Sequence, residues 1–327
     1  MDAGVFVLGM HRSGTSAVTR LIGLLGLQTP PDEDLVQPTD KNPKGYWESE
    51  SLVAFNERIL RSVGCDIGCP VILEPGWELD ARLAALRQEA PRAVRQIFPT
   101  PPWVWKDPRH CLAFAFWRSA LAVRPVVVLV NRNPLEITAS ALRVRSEQGK
   151  VYALALWERY LRQALGQIDG LPALVTSYEA LLAAPLEWCE RTHAFLVRAG
   201  VPARAHREDE VLAFVDTQLR HAERTRADFL ADRDVSEPQR ALFSALDALE
   251  GAHESFVPPS LPNETPTTEA LLAERRRALE IKQDLERQLD SERRSRWRWR
   301  VRNSRYAAPA RPLYTGGRRL LKALQGR

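Results

Sequence analysis

The chain has 327 residues, 45% of them hydrophobic, and a formal net charge of +5. This length is sufficient for one large α/β domain, or for one domain with an appendage. No run of 18 apolar residues occurs, and the N-terminus lacks the basic and apolar regions of a signal peptide. We therefore expect a cytoplasmic protein without a membrane-spanning helix.

The positive charge is concentrated at the C-terminus. Of the 46 Lys and Arg residues, 12 lie between Arg293 and Arg327, where there is no Asp or Glu. Residues 1–292 therefore carry 34 basic against 41 acidic residues, a balance of −7. The basic isoelectric point thus belongs to the tail and says little about an active site.

Strands and helices alternate along the first 200 residues. The apolar run at 4–8 predicts a buried strand, and the β-branched run at 125–130 predicts a central one. Two more strands are expected at 103–106 and 172–176. Helices are expected between them, at residues 17–26, 49–63, 79–97, 111–120, 135–145, 152–168, 178–182 and 186–198. The alternation predicts an α/β fold with a parallel, doubly wound sheet in residues 1–255.

Three further segments follow this domain. Residues 256–267 contain four prolines and predict a linker that ends the globular part. Residues 268–292 predict a charged helix, either a short dimeric coiled coil or an extended solvated helix. Residues 293–327 form a basic tail in which Arg and Trp alternate, from Arg296 to Arg300.

A short polar turn links the first strand to the first helix. Gly9 and Gly14 have the spacing of the first six positions of a P-loop, in which backbone amides and a helix N-terminus face an anion. Thr15 stands where a nucleoside-triphosphate enzyme has Lys, and the cation comes earlier, at Arg12. The turn therefore favours a smaller anion, held without metal by Arg12 and the hydroxyls of Thr15 and Ser16.

A second polar element follows the central strand. Arg132 lies at the carboxyl end of that strand, where α/β sheets bind ligands, and Ser140 lies about two turns into the next helix. Together, residues 9–16 and this element resemble sulfotransferases that use 3′-phosphoadenosine 5′-phosphosulfate (PAPS), and they are most similar to bacterial carbohydrate sulfotransferases.

The resemblance implies roles for two sets of residues. The 5′-phosphosulfate would be bound by Arg12, Ser13, Gly14, Thr15 and Ser16. The 3′-phosphate would be held by Arg132 and Ser140. PAPS would be the co-substrate, on a P-loop-like fold, and no metal is implied. Cys65 and Cys69 do not indicate a metal site either, because no second Cys or His pair completes a ligand set with them.

The same resemblance covers the residues between the two anion sites. Glu48 matches the family's general base, and Lys106, in a Lys-x-Pro element, would act with Arg12 on the transferring group. His110 and His11 are alternative bases that we rank below Glu48. Asp107 and Arg109 are expected to fix the loop by an ion pair.

The sequence thus predicts transfer of a sulfuryl group to a hydroxyl of a carbohydrate or glycolipid. The alternatives are a P-loop kinase-like enzyme and a non-catalytic, membrane-recruited nucleotide-binding protein. The tail at 293–327 suits an anionic membrane surface at the inner face of the cell membrane. We favour a membrane over nucleic acid, because the body has no nucleic-acid recognition motif. Residues 268–292 would be the route to a homodimer.

Overall fold

The computed structural model describes residues 3–40, 42–142, 149–215 and 223–303, with the backbone alone at 141, 142 and 300–303. In this part of the chain five strands form one sheet in the order β2-β1-β3-β4-β5. They are β1 (Ala3–Leu8), β2 (Trp103–Lys106), β3 (Arg124–Asn131), β4 (Ala173–Ser177) and β5 (Gly251–His253). The first four are parallel, and β5 runs antiparallel to β4. The predicted doubly wound α/β fold is confirmed, with an antiparallel edge strand that was not predicted.

Twelve helices accompany the sheet in the described residues. They are α1 (Thr15–Leu24), α2 (Glu50–Ser62), α3 (Ala84–Ile97), α4 (His110–Ala120), α5 (Pro134–Leu142), α6 (Lys150–Gln167), α7 (Tyr178–Ala183), α8 (Pro185–Arg198), α9 (Glu208–Phe214), α10 (Arg226–Ala231), α11 (Glu237–Ala248) and α12 (Pro266–Asn303). Those from α9 to α11 were not predicted. The helix expected from residue 79 begins at Ala84, because Asp80 caps a separate 3₁₀ turn there.

Helices cover both faces of the sheet, so its strands are apolar throughout. On one face, valines of β1 and β3 pack in a single cluster with Leu21 of α1 and Trp188 of α8. On the other face, Phe6 contacts Trp103 of β2 and Phe114 of α4 edge-on, with centroids 5.2 and 5.1 Å away. Burial on two sides explains why the sequence shows continuous apolar runs rather than alternation.

The chain forms two compact units, Met1–Ala273 and Glu274–Arg327. The Pro-rich segment ends where Pro266 begins α12. Within the first unit, Phe256 is fully buried and exchanges two backbone hydrogen bonds of 2.8 Å with Gly170 and Leu171. Glu264 and Glu269 both pair with Arg159 of α6 at 2.7 Å. In the second unit, Ile281, Leu285, Leu289, Trp297 and Trp299 are all more than half exposed. Among the helices of the described residues, none combines the length and hydropathy of a membrane span.

Candidate anion-binding and acid–base site

The turn between β1 and α1 has the backbone of a phosphate-binding loop. Gly9, Arg12 and Gly14 have positive φ angles of 154°, 72° and 92°. The amide and hydroxyl of Ser13 donate to the carbonyl oxygen of Met10 at 3.2 and 2.6 Å, which closes the turn. Gly14 caps α1, and a β-carbon there would overlap the Tyr178 ring. The tight turn and the close aromatic ring explain why glycine occupies this position.

Several donors of the loop remain available to an anion. The amides of Gly14, Thr15 and Ser16 lie at the N-terminus of α1, where a helix supplies no carbonyl partner. The structure assigns these three amides no acceptor among the residues it describes. The Gly9 amide, in contrast, donates to the Cys111 thiol at 3.2 Å. The loop can therefore present three adjacent N–H groups and the positive end of a helix to a phosphate or sulfate.

The structure brings the two predicted anion elements into direct contact. Arg12 Nε donates to Ser140 Oγ at 2.9 Å, across 128 residues of sequence. Arg132 donates to the carbonyl oxygen of Arg12 at 3.0 Å, across 120 residues. Both contacts form because β1 and β3 are neighbours and end at the same edge of the sheet. Arg12, Arg132 and Ser140 thus lie side by side at this edge of the sheet.

The sequence prediction missed a carboxylate beside Arg132. Glu136, fully buried, accepts from Arg132 Nε at 2.9 Å and lies 2.8 Å from its NH2 group. The Tyr178 ring stacks on the guanidinium, 4.7 Å from centroid to Cζ. The spacing of four residues between Arg132 and Glu136 was a readable signal for this pair. With Arg12 included, these contacts occupy three of the five N–H groups of Arg132, and the other two have no acceptor among the residues that the structure describes.

Glu48 and Lys106 form a buried ion pair. The Lys106 Nζ contacts the Glu48 carboxylate directly and donates to the Tyr46 carbonyl oxygen at 2.9 Å. Lys106 is 2% exposed and Glu48 is 9% exposed. Burial raises the pKa of Glu48, and the charge of Lys106 opposes that rise. Trp47, between Tyr46 and Glu48, has a positive φ of 56°, a strained conformation for a large residue.

One carbonyl group joins this ion pair to the anion loop. Ser16 Oγ donates to the carbonyl oxygen of Tyr46 at 3.1 Å, and Lys106 donates to the same oxygen. The predicted lysine and the end of the phosphate loop therefore share one backbone acceptor, and the lysine also contacts the predicted base.

The two candidate histidine bases pack against aromatic rings. His110 is fully buried, edge-on to Trp105 with centroids 4.5 Å apart, and burial lowers its pKa to about 4. The ring of His11 packs edge-on against Tyr160 at 5.6 Å. The predicted ion pair of Asp107 with Arg109 is present at 3.1 Å. The predicted membrane tail from residue 304 onward lies outside the described residues.

Metal ligands do not gather in the part of the chain that the structure describes: no group of three or more His, Cys, Asp or Glu residues is suitably placed. The four cysteines are buried. The polar groups that the described residues bring to the site are backbone amides, two arginines, hydroxyls and the Glu48–Lys106 pair.

No protein-family model and no curated protein matches the chain. Several solved structures are similar to it, and three of them are sulfotransferase domains or retinol dehydratase. The sulfotransferase domain from the curacin biosynthetic pathway is 16% identical, with a TM-score of 0.40, over 84% of this chain and 97% of that one. The sulfotransferase domain from the Synechococcus PCC 7002 olefin synthase is 15% identical, with a TM-score of 0.38, over 83% of this chain and 94% of that one. Retinol dehydratase in complex with androsterone and the inactive cofactor PAP is 14% identical, with a TM-score of 0.32, over 86% of this chain and 80% of that one. Similarity at this level does not assign an activity to the chain.

Proposed function

We propose that this protein is a sulfotransferase that transfers the sulfuryl group of PAPS to a hydroxyl of a carbohydrate or glycolipid acceptor. The observation that carries the proposal is the contact of Arg12 with both Ser140 and Arg132. A ligand with two separate anionic groups needs two cationic sites on one surface. The loop at 9–16 with Arg12 supplies one site, and Arg132 with Ser140 supplies the other.

The residues present fit such a ligand. The 5′-phosphosulfate would take the amides of Gly14, Thr15 and Ser16, which have no acceptor among the described residues. The 3′-phosphate would take the remaining N–H groups of Arg132, with the Ser140 hydroxyl beside them. PAPS supplies an activated sulfuryl group and a phosphate leaving group. Anions of this kind are best held by charge-assisted hydrogen bonds in fixed geometry.

Glu48 would act as the general base. A carboxylate with a raised pKa accepts a proton more readily near neutral pH than an exposed one. The acceptor hydroxyl gives its proton to Glu48 while its oxygen forms the new S–O bond and the bond from sulfur to the phosphate oxygen breaks. Protonation of Glu48 removes the counter-charge of Lys106. The lysine then has a free positive charge at the moment when negative charge develops on the leaving oxygen.

Binding and transfer can be tested separately. Calorimetry without metal should show binding of 3′-phosphoadenosine 5′-phosphate and none of ATP. Arg132→Met should weaken that binding about 10–100-fold, because it removes a charge-assisted contact. Arg58→Met is a matched control, since Arg58 is 51% exposed and pairs with Glu89 on the surface. Binding of ATP with Mg²⁺ in preference to the bisphosphate would favour a kinase-like enzyme and refute the proposal.

The base assignment needs its own variant. Glu48→Gln should retain affinity for 3′-phosphoadenosine 5′-phosphate and lose about 10²–10⁴-fold in transfer of ³⁵S-sulfate to a glycan acceptor. Unchanged transfer would move the role of base away from Glu48. Binding of the bisphosphate by the wild type without transfer to any hydroxyl acceptor would favour the non-catalytic alternative.

We also propose that the C-terminal tail holds the protein at an anionic membrane surface. Arg293, Arg294, Arg296 and Arg298 follow the last acidic residue, Glu292, within α12. Trp297 and Trp299 are each 60% exposed. They are two positions apart in the helix, which rotates their side chains by about 200° around its axis. Both rings cannot enter one lipid surface from this helix, so charge rather than insertion would provide the attraction, about 1 kcal/mol per basic residue.

Deletion of residues 293–327 tests this partner. The full chain should sediment with vesicles of phosphatidylserine and phosphatidylcholine, and the shortened chain should stay in the supernatant. Equal sedimentation would refute it. The face with Ile281, Leu285 and Leu289 is the candidate homodimer contact, and analytical ultracentrifugation of Leu285→Glu against wild type tests it.

A further inference from the structure

A buried hydrogen-bonded chain lies directly behind the Glu48–Lys106 pair. Asp107, which follows Lys106, is fully buried. Its Oδ1 accepts from the Arg109 amide at 2.8 Å and from the Arg109 side chain at 3.1 Å. Its Oδ2 accepts from Asn56 Nδ2 of α2 at 2.9 Å. Both oxygens of a carboxylate without solvent are thus satisfied, which burial of a charge requires.

The orientation of Asn56 is fixed from its other end. Trp117 Nε1 of α4 donates to Asn56 Oδ1 at 2.7 Å, and Asn56 is fully buried. An indole N–H can only donate, so the amide oxygen of Asn56 must face Trp117 and its NH₂ group must face Asp107. Hydrogen bonds therefore run in one direction only, from Trp117 through Asn56 to Asp107.

This chain joins the two elements that carry the proposed base and its lysine. Glu48 lies just before α2, and Lys106 is the last residue of β2, 58 residues later. Asn56 ties α2 to the turn after β2, and Glu57 adds a second tie by accepting from Arg109 at 2.9 Å. The contact of Glu48 with Lys106 depends on the separation of α2 and β2, and these two ties fix it.

We propose that Asn56 and Asp107 are positioning residues that hold Glu48 and Lys106 in register for proton transfer. The inference rests on the proposed function of that pair. The charged groups that act on Glu48 are Lys106, Asp107 and Arg109. Asp107 raises the pKa of Glu48 and Arg109 lowers it, so the charges of these two contacting residues oppose each other at Glu48. The Asn56 amide carries no charge, so its tie acts on Glu48 through geometry.

A swap of the two partners tests the tie. Asp107→Asn sets an NH₂ group against either the NH₂ group of Asn56 or the N–H groups of Arg109, and Asn56→Asp sets two carboxylates together. Each single variant should lower kcat for sulfuryl transfer about 10–100-fold, since misplaced reacting groups cost this much. Affinity for 3′-phosphoadenosine 5′-phosphate should stay within threefold of wild type. The double variant Asn56→Asp/Asp107→Asn restores a carboxylate facing an amide and should recover at least tenfold in kcat over either single variant.

Arg159→Met is the control for lost stability alone. This substitution breaks the buried ion pair of Arg159 with Glu264 and should leave kcat unchanged at a temperature where the variant is folded. Wild-type kcat in both single variants would overturn the inference. So would a double variant whose loss of kcat equals the product of the single losses.

A readout without activity separates this inference from the proposed function. In Asn56→Leu no charge changes, but the tie to Asp107 is lost. The carboxyl ¹³C titration of Glu48 should then move to higher pH, because Glu48 loses its close contact with Lys106, which lowers its pKa. Glu48→Gln identifies the signal. An unshifted titration would refute the positioning role, and a shift in a protein that transfers no sulfate would refute only the proposed function.

Discussion

Substitution of Gly14 by Ala isolates the contact between the anion loop and Tyr178. Gly14 has φ 92° and ψ 7° at the start of α1. A β-carbon there would be 2.7 Å from Tyr178 Cγ, 2.9 Å from Cε2 and nearer still to Cδ2. The left-handed backbone costs an alanine about 1–2 kcal/mol, partly offset by about 0.4–1 kcal/mol from the unfolded state. Overlap with the ring adds about 1–3 kcal/mol.

Gly76 is a matched control for the backbone cost. It has φ 91° and ψ −4°, also at the start of a helical turn, and a β-carbon there meets no atom within 4 Å. Urea unfolding followed by circular dichroism should therefore show Gly14→Ala less stable than Gly76→Ala by about 1–3 kcal/mol. That difference should disappear in a Tyr178→Ala background. Equal losses in both glycine variants, or a difference that persists without the tyrosine ring, would refute the reasoning.

Two further predictions concern buried charge. Burial lowers the pKa of His110 from 6.5 to about 4, so the unfolded chain binds the extra proton first. As pH falls from 6.5 to 4, this group should lower the free energy of unfolding by about 3 kcal/mol. Urea titrations of His110→Leu should lack this part of the pH dependence. If wild type and variant lost stability equally over this pH range, the prediction would be wrong. Arg159, 1% exposed, pairs with Glu264 and Glu269. Arg159→Met should lower the free energy of unfolding by about 2–4 kcal/mol, less than for a fully buried ion pair because Glu269 is half exposed. Arg58→Met, at an exposed ion pair, should lower it by less than about 1 kcal/mol. Similar urea midpoints for the two would contradict it.

The strength of local patterns decided which elements could be predicted. The β-branched run in β3 is sufficient to mark a buried central strand. β5 has only Gly251, Ala252 and His253, which favour no strand, and its structure comes from pairing with β4. The helix α11 begins at a capping box of Ser236 and Gln239, a readable signal that the prediction did not include.

Some contacts of the site could be predicted from the sequence, and others could not. The resemblance of residues 9–16 and of Arg132 and Ser140 to PAPS-dependent sulfotransferases predicted two anion-binding elements, and the position of Arg132 at the carboxyl end of its strand agreed with a ligand site. The structure brings these elements into contact. The contact of Lys106 with Glu48 could not be predicted, since it depends on how α2 packs against β2. The tie through Asn56 has the same origin, and an asparagine in a helix carries no local signal of its partner.

The helix α12 begins inside the first unit and continues into the second. Its first turns are anchored: Thr268 is 1% exposed and donates to the buried Glu158 at 3.0 Å, and Leu272 is fully buried. The free-energy cost of helix formation lies mainly in the first turn, and each later residue adds a hydrogen bond at little cost. Packing of residues 266–272 therefore provides a nucleus on which residues 274–303 can extend, although their apolar residues Ile281, Leu285 and Leu289 are more than half exposed. A peptide of residues 274–303 alone should accordingly have little helix by circular dichroism, in contrast to the same residues in the intact chain.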